Sequence, residues 1–130
     1  MNQDFSRTTL GKSGIGVHRL ALSATYRPGK ETIYKALDKG CDLFFCYGFD
    51  TQMVGVLRDV FRNKRENCVV ITGAYNLLLG HLNLRRTLEK RLRQLRTDYI
   101  DIFLFLGVMK EKHFTEHVKE ELCRFREEGK

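Results

Sequence analysis

The chain lacks the features of a membrane, secreted or disulfide-linked protein. None of its apolar runs reaches the roughly 18 residues that a membrane-spanning helix requires. Residues 1–10 contain no apolar segment of the kind found in signal peptides. The spacing of its four cysteines, which form no Cys-x-x-Cys pair, predicts neither a zinc site nor a disulfide framework. We therefore expect a cytoplasmic protein with reduced thiols and no membrane partner.

Linkers and low-complexity tracts are also missing, and proline occurs only at Pro28. The 130 residues therefore predict one domain that spans positions 1–130. The net charge of +7 favours anionic partners. However, the arginine-rich segment 84–95 also carries a leucine stripe, and it has no interleaved aromatic residues on which nucleotide bases would stack. A solvated basic helix explains the charge better than a nucleic-acid surface, which is the weaker alternative.

The hydrophobic pattern predicts alternating strands and helices. Apolar residues recur at helical spacing in segments 30–39, 52–62 and 84–95 and along a last helix with Phe114, Val118, Leu122 and Phe125. Short apolar runs predict strands at 20–22, 41–47, 68–72 and 99–106. Three glycines before residue 17 predict an opening hairpin. A hairpin followed by four βα units indicates an α/β fold with a parallel sheet and right-handed crossovers.

Four stretches resemble the aldo-keto reductase family. Leu10-Gly-Lys-Ser-Gly-Ile-Gly-Val17 is similar to the family's opening hairpin, and Lys39-Gly-Cys-Asp-Leu-Phe44 to its second strand. Leu95-Arg-Thr-Asp-Tyr-Ile-Asp-Ile102 is similar to the approach to its fourth strand, and Glu128-Gly-Lys130 to the lead into its fifth. The resemblance implies the N-terminal half of a (β/α)8 TIM barrel. Because a complete barrel needs roughly 250 residues, we expect a truncated barrel or a piece of a longer one.

The resemblance also implies a chemistry. Members of the family reduce a carbonyl group with hydride from NADPH, and a tyrosine hydroxyl supplies the proton as general acid. A lysine and an aspartate tune the pKa of that tyrosine, and a histidine orients the substrate. A small carbonyl compound would therefore be the substrate.

Most of these catalytic positions hold other residues in this chain. Where the family has its aspartate, lysine and histidine, this sequence has Phe45, Gly73 and Leu106. Tyr47 matches the family's tyrosine, although the loop before it is shorter. Without a neighbouring ammonium group the pKa of Tyr47 has no evident reason to fall. The resemblance therefore predicts a pseudoenzyme or an impaired enzyme. For Tyr47, the simpler interpretation of an aromatic residue at a strand end is favoured over that of a general acid.

One further match concerns the cofactor. Ser23, Ala24 and Thr25 follow the first strand, where the family contacts the nicotinamide ribose of NADPH, and Ser23 replaces the usual glycine. Most of the family's NADPH contacts come from strands that this chain does not include, so we expect these residues alone to form a weak site.

Other candidate sites and roles remain open. His113 and His117 have a spacing that could bind zinc but lack a third ligand. Cys46 is expected to be a buried thiol. As an alternative to catalysis, the chain could be a non-enzymatic interaction module, because the open edges of a half-barrel sheet favour self-association.

Overall fold

The computed structural model describes residues 4–47, 50–75 and 83–130. This part of the chain forms six β-strands and four α-helices. The strands are β1 (Arg7–Thr9), β2 (Gly16–His18), β3 (Leu22–Ser23), β4 (Leu43–Phe45), β5 (Val69–Tyr75) and β6 (Ile102–Leu106). The helices are α1 (Lys30–Asp38), α2 (Thr51–Lys64), α3 (Leu84–Leu95) and α4 (Glu116–Glu127).

The strands form two sheets. β1 and β2 pair antiparallel as the opening hairpin, with Arg7 opposite His18. The other four strands form one parallel sheet in the order β3-β4-β5-β6, and each is followed by a helix. The predicted hairpin and four βα units are thus confirmed.

The parallel sheet has an outer and an inner face because side chains alternate along each strand. The outer face packs against the helices through buried residues such as Phe44, Val70 and Ala74. The inner face is covered at the N-terminal ends of the strands, where Val17 of the hairpin packs against Leu43 and Val69. The hairpin therefore closes one end of the inner face.

Side-chain caps fix the beginnings of three helices. The carboxylate of Asp50 accepts a hydrogen bond from the backbone N–H of Gln52 at 2.9 Å, and Asn83 accepts from Arg86 at 2.9 Å. The hydroxyl of Thr115 accepts from the N–H of Val118 at 3.3 Å. These side chains satisfy N–H groups that the first turn of a helix leaves without partners.

Several predicted boundaries are wrong. β5 continues to Tyr75 instead of ending at residue 72, because its last three residues pair with β6. The first strand of the parallel sheet is Leu22–Ser23, and Leu20 lies outside it with an exposed side chain. β6 begins at Ile102 and α4 at Glu116, both later than predicted.

Arg65 explains why β6 begins late. Its guanidinium lies between the rings of Phe61 and Tyr99, at 4.7 and 3.9 Å from their centroids. It donates hydrogen bonds to Asp101 Oδ2 at 2.8 Å and to the carbonyl of Tyr99 at 2.9 Å. Asp101 Oδ2 also accepts from the N–H of Val70 at 2.9 Å. The Asp-Tyr-Ile-Asp segment therefore anchors the end of α2 to the start of β5 and β6.

A bidentate ion pair links α3 to the end of α4. Both terminal nitrogens of Arg85 donate to the carboxylate of Glu128 at 2.8 Å. These hydrogen bonds, with a further one from Lys130, lower the pKa of Glu128 from 4.5 to about 2. The pair ties the last turn of α4 to the neighbouring helix.

Acidification should weaken this link. A lowered folded-state pKa contributes stability that is fully present above pH 4.5 and disappears as the pH falls through about 2. Thermal melts between neutral pH and pH 2 should therefore show a smaller loss of midpoint in that window for Glu128→Gln than for the unaltered chain. The exposed neighbour Glu127 is the control, and an equal effect of Glu127→Gln would contradict the assignment to Glu128.

Within the described ranges, no helix is both long and apolar enough to cross a membrane.

Candidate active site

The C-terminal ends of the parallel strands form one edge of the sheet, which is where barrel enzymes carry their active sites. Ser23, Phe45, Tyr75 and Leu106 are the last residues of β3, β4, β5 and β6. The register pairs Ser23 with Phe45 and Tyr75 with Leu106, so all four share the inner face. The candidate residues predicted from the sequence therefore lie along one edge.

Tyr47 belongs to an aromatic cluster at this edge. Its ring stacks on Phe45, with centroids 5.8 Å apart and an interplanar angle of 14°. It meets Tyr75 edge to face at 4.8 Å and 78°. Tyr75 is not among the site residues predicted from the sequence, because the predicted strand ends at residue 72. The two-residue strand period that places Gly73 on the inner face would have found it.

The surroundings of Tyr47 make it a weaker acid. Burial raises its pKa above the ordinary value of 10.0, and the neighbouring Tyr75 hydroxyl raises the pKa further. The guanidinium of Arg91, on α3, acts in the opposite direction but does not outweigh burial. Tyr47 therefore keeps its proton at neutral pH and releases it reluctantly.

The positions that match the family's other catalytic residues carry no polar side chain. Phe45 and Leu106 are half-buried apolar residues. Gly73 is buried, and a Cβ atom built on it would lie 2.2 Å from the carbonyl oxygen of Leu104. The backbone of β6 thus approaches β5 so closely that position 73 has no room for a side chain.

Asp50 and Cys46 lie behind the edge, near the start of α2. Asp50 is buried and caps α2 through Oδ1, and its Oδ2 has no hydrogen-bond partner within the described ranges. Cys46 is 1% exposed, and burial raises the pKa of its thiol. Arg91 Nη1 lies 3.9 Å from Cys46 Sγ. Cys46 is therefore a buried thiol, as expected, and is not activated as a nucleophile.

The predicted cofactor-binding residues form a tight turn. Ser23 Oγ accepts a hydrogen bond from the N–H of Thr25 at 3.2 Å and so caps a short 3-10 turn, Ala24–Tyr26. Ala24 is buried and Thr25 is exposed. The turn offers the exposed side chains of Thr25 and Tyr26 and a short stretch of backbone, which is too little to hold the phosphates and rings of NADPH. These residues alone do not fit the whole cofactor.

Neither a metal site nor the groove beside the hairpin adds chemistry at this edge. In the part of the chain that the structure describes, no three His, Cys, Asp or Glu side chains are placed to hold a metal ion. His113 instead accepts a hydrogen bond from the N–H of Met109 at 3.3 Å. This groove, of about 870 Å³, lies at the opposite end of the sheet. There Arg7 and Asp42 neutralise each other in an ion pair of 2.6 Å.

The hairpin beneath a four-stranded parallel sheet, with a helix after each strand, defines the first half of a (β/α)8 barrel. Several solved structures share this fold. The chain is similar to an aldo-keto reductase from Pseudomonas aeruginosa, with 22% identity and a TM-score of 0.74 over 95% of this chain and 55% of that one. It is also similar to an aldo-keto reductase from Klebsiella pneumoniae in complex with NADPH, with 21% identity and a TM-score of 0.66 over 90% and 44% of the two chains.

A third similar structure is the holo form of an aldo-keto reductase from Bacillus halodurans, with 18% identity and a TM-score of 0.68 over 95% and 45% of the two chains. The chain thus spans about half the length of these proteins. No protein-family model and no curated protein matches it. At these identities the likeness establishes the fold, and the half-barrel implied by the sequence resemblance is confirmed.

Proposed function

We propose that the chain is an aldo-keto reductase-like protein, by descent an NADP-dependent oxidoreductase of carbonyl compounds, whose own catalysis is impaired. The proposal rests on the combination of the fold with apolar side chains at the C-terminal ends of the parallel strands. The sheet matches aldo-keto reductases, but Phe45, Gly73 and Leu106 leave its inner face without a carboxylate, ammonium or imidazole group at the matching positions. The NADPH complex of the Klebsiella relative supports the class of cofactor.

The residues that remain could perform only part of the reaction. The hydroxyl of Tyr47 could hold a proton near a carbonyl oxygen at the mouth of the half-barrel. The raised pKa of Tyr47 makes it a poor proton donor. The positive charge of Arg91 lowers this pKa but does not offset the effect of burial. A well-tuned general acid contributes a factor of about 10² to 10⁴ in rate, and much of that factor is expected to be absent. NADPH, if bound, would supply the hydride.

Titration of the chain with NADPH, followed by nucleotide fluorescence, tests the cofactor part of the proposal. We expect no saturable binding up to millimolar concentrations, because Ser23, Ala24 and Thr25 offer too few contacts. Saturable binding in the micromolar range would contradict this expectation and would show that a cofactor site exists without further strands.

Turnover of a small aldehyde with NADPH tests the catalytic part. The rate should stay at the uncatalysed background, and Tyr47→Phe should leave it unchanged. Tyr75→Phe is the matched control, because Tyr75 touches Tyr47 but has no counterpart among the catalytic positions. A rate above background that falls with Tyr47→Phe and persists with Tyr75→Phe would contradict the proposed impairment.

The second candidate is a non-enzymatic interaction module, which the half-buried residues of β6 favour. Nucleic-acid binding receives less support, since Arg85 forms ion pairs with Glu121 and Glu128.

A cytoplasmic location is part of the proposal and is supported by the four cysteines, all of which are free.

A further inference from the structure

The chain exposes more surface than a folded protein of its mass should. Its accessible surface is 9110 Å². A folded monomer of 15.2 kDa is expected to expose about 7,100 Å². The excess of about 2,000 Å² is larger than the roughly 800 Å² that each partner contributes to a standard protein interface. The chain as a whole thus exposes more excess area than one side of a standard interface covers.

The two outer strands of the parallel sheet, β3 and β6, each lack a neighbouring strand on one side within the described ranges. β3 pairs only with β4, and β6 pairs only with β5. All five residues of β6 are only partly buried, whereas β5, inside the sheet, is mostly buried. Unpaired edge strands carry free backbone N–H and C=O groups that favour pairing with another strand. Each edge can therefore accept one more parallel neighbour.

The uncovered apolar side chains lie next to these edges and on the inner face. Leu20, directly before β3, is 73% exposed, and Met109, shortly after β6, is 84% exposed. On the inner face, Leu104 and Leu106 are half-buried because the hairpin covers only the other end of the strands. Parallel sheets are normally covered on both faces. Uncovered apolar side chains are thus found near both edge strands and on the inner face.

We propose that a second copy of this chain occupies this surface and closes an eight-stranded barrel. A two-fold rotation about the barrel axis would place β6 beside the partner's β3, and β3 beside the partner's β6. Both outer strands would then form parallel hydrogen-bonded pairs with the partner. The barrel would have eight strands, the number at which side chains fill the interior of a parallel barrel. The contact is isologous and closed, as in most homodimers.

The area agrees with this occupant. One globule of twice the mass would expose about 11,800 Å², so the union of two copies would bury about 6,400 Å² in total. Obligate dimers bury about 2,000 to 5,000 Å² or more. The two-fold axis would also bring both Tyr47–Tyr75 clusters to one mouth, so each copy would contribute residues to a shared site. The inference does not depend on the proposed reductase descent, since it rests on strand edges and area.

The first experiment measures mass and stability of the unaltered chain. Sedimentation equilibrium should give twice 15.2 kDa. The thermal midpoint should rise with protein concentration over about a hundredfold range, because dimerisation stabilises the folded state by mass action. Amide hydrogen exchange should show protected N–H groups along both sides of Ile102–Leu106, and dilution should remove the protection on the outer side.

A charge on the inner face provides the second test. Leu104→Glu should yield a monomer, because a carboxylate would be buried in the closed barrel. Lys90→Glu is the control, since Lys90 is exposed on the outer side of α3 and should leave the dimer intact. If Leu104→Glu does not fold, the concentration dependence of the unaltered chain still decides the question.

Two outcomes would overturn the proposal. One is a monomer whose melting is cooperative and independent of concentration, which would leave the surface to a further segment of the same polypeptide or to a different half-barrel. The other is a dimer in which the outer amides of Ile102–Leu106 exchange freely, which would mean that the copies meet elsewhere.

Discussion

Gly73→Ala should lower the free energy of unfolding by about 3 kcal/mol, at the upper end of the cost of overpacking. The added Cβ would lie 2.2 Å from the carbonyl oxygen of Leu104 and 3.0 Å from its carbonyl carbon. Backbone atoms of a paired strand cannot move aside as the end of a long side chain can, so β5 and β6 must separate locally. Urea denaturation monitored by circular dichroism measures the change.

Gly55→Ala is the matched control for this prediction. A Cβ at Gly55, on α2, would meet nothing within 4 Å. The substitution should therefore stabilise the chain by about 0.5–1 kcal/mol, because alanine is the better helix former. Equal effects of the two substitutions would contradict the steric argument.

The same contact bears on attempts to restore catalysis. Gly73→Lys would recreate the lysine that the family resemblance leads one to expect, but the side chain would begin with the same Cβ. We therefore expect loss of β5–β6 pairing and no gain in aldehyde reduction. A folded Gly73→Lys variant that turns over aldehyde would show that the strands can adjust.

Arg65→Met should destabilise the chain by about 3 kcal/mol, the lower end of the cost of breaking a buried ion pair by removing one partner, because this pair is only partly buried. The side chains of Arg65 and Asp101 are 12% and 15% exposed. Removal of the guanidinium would leave the Asp101 carboxylate with only the N–H of Val70 as a partner in this network. It would also remove the cation from between the rings of Phe61 and Tyr99.

Arg62→Met separates this effect from a general loss of positive charge. Arg62 lies three residues earlier on α2, and its side chain is 64% exposed in an ion pair of 3.6 Å with Asp59. Exposed pairs contribute about 0–1 kcal/mol, so this variant should melt close to the unaltered chain. A small effect of Arg65→Met would mean that the Asp-Tyr-Ile-Asp segment is held by other contacts.

Local periodicity was enough to predict the helices and the order of elements. The bounds of α3 agree with the prediction at both ends, because four leucines mark its buried face and Asn83 caps its first turn. The strand order followed from the alternation of strands and helices. The family resemblance also placed Phe45 and Leu106 at the ends of their strands, where the structure has them, whereas Gly73 lies two residues before the end of β5.

Features that depend on contacts distant in sequence could not be predicted. The extension of β5 to Tyr75 requires pairing with β6, about 30 residues later. Nothing in the local sequence distinguishes Arg65 from the other basic residues, and only the fold brings it to Asp101, 36 positions further along the chain. The tightness at Gly73 likewise arises between two strands. Arg91 lowers the pKa of Tyr47 from a helix that is distant in sequence, so no local motif predicts this effect.

The hairpin gives the two ends of the sheet different tolerance to change. Under the strands, Leu10, Ile15 and Val17 meet Leu43 and Val69, so a substitution there disturbs a packed layer. At the opposite edge most inner side chains are partly solvated, and Gly73 is the exception. A polar group at that edge can therefore be exchanged for an apolar one at little cost in folding. A scaffold of this kind can lose the polar residues of one catalytic site without losing its fold, and it can gain the residues of another site by substitutions at the same positions.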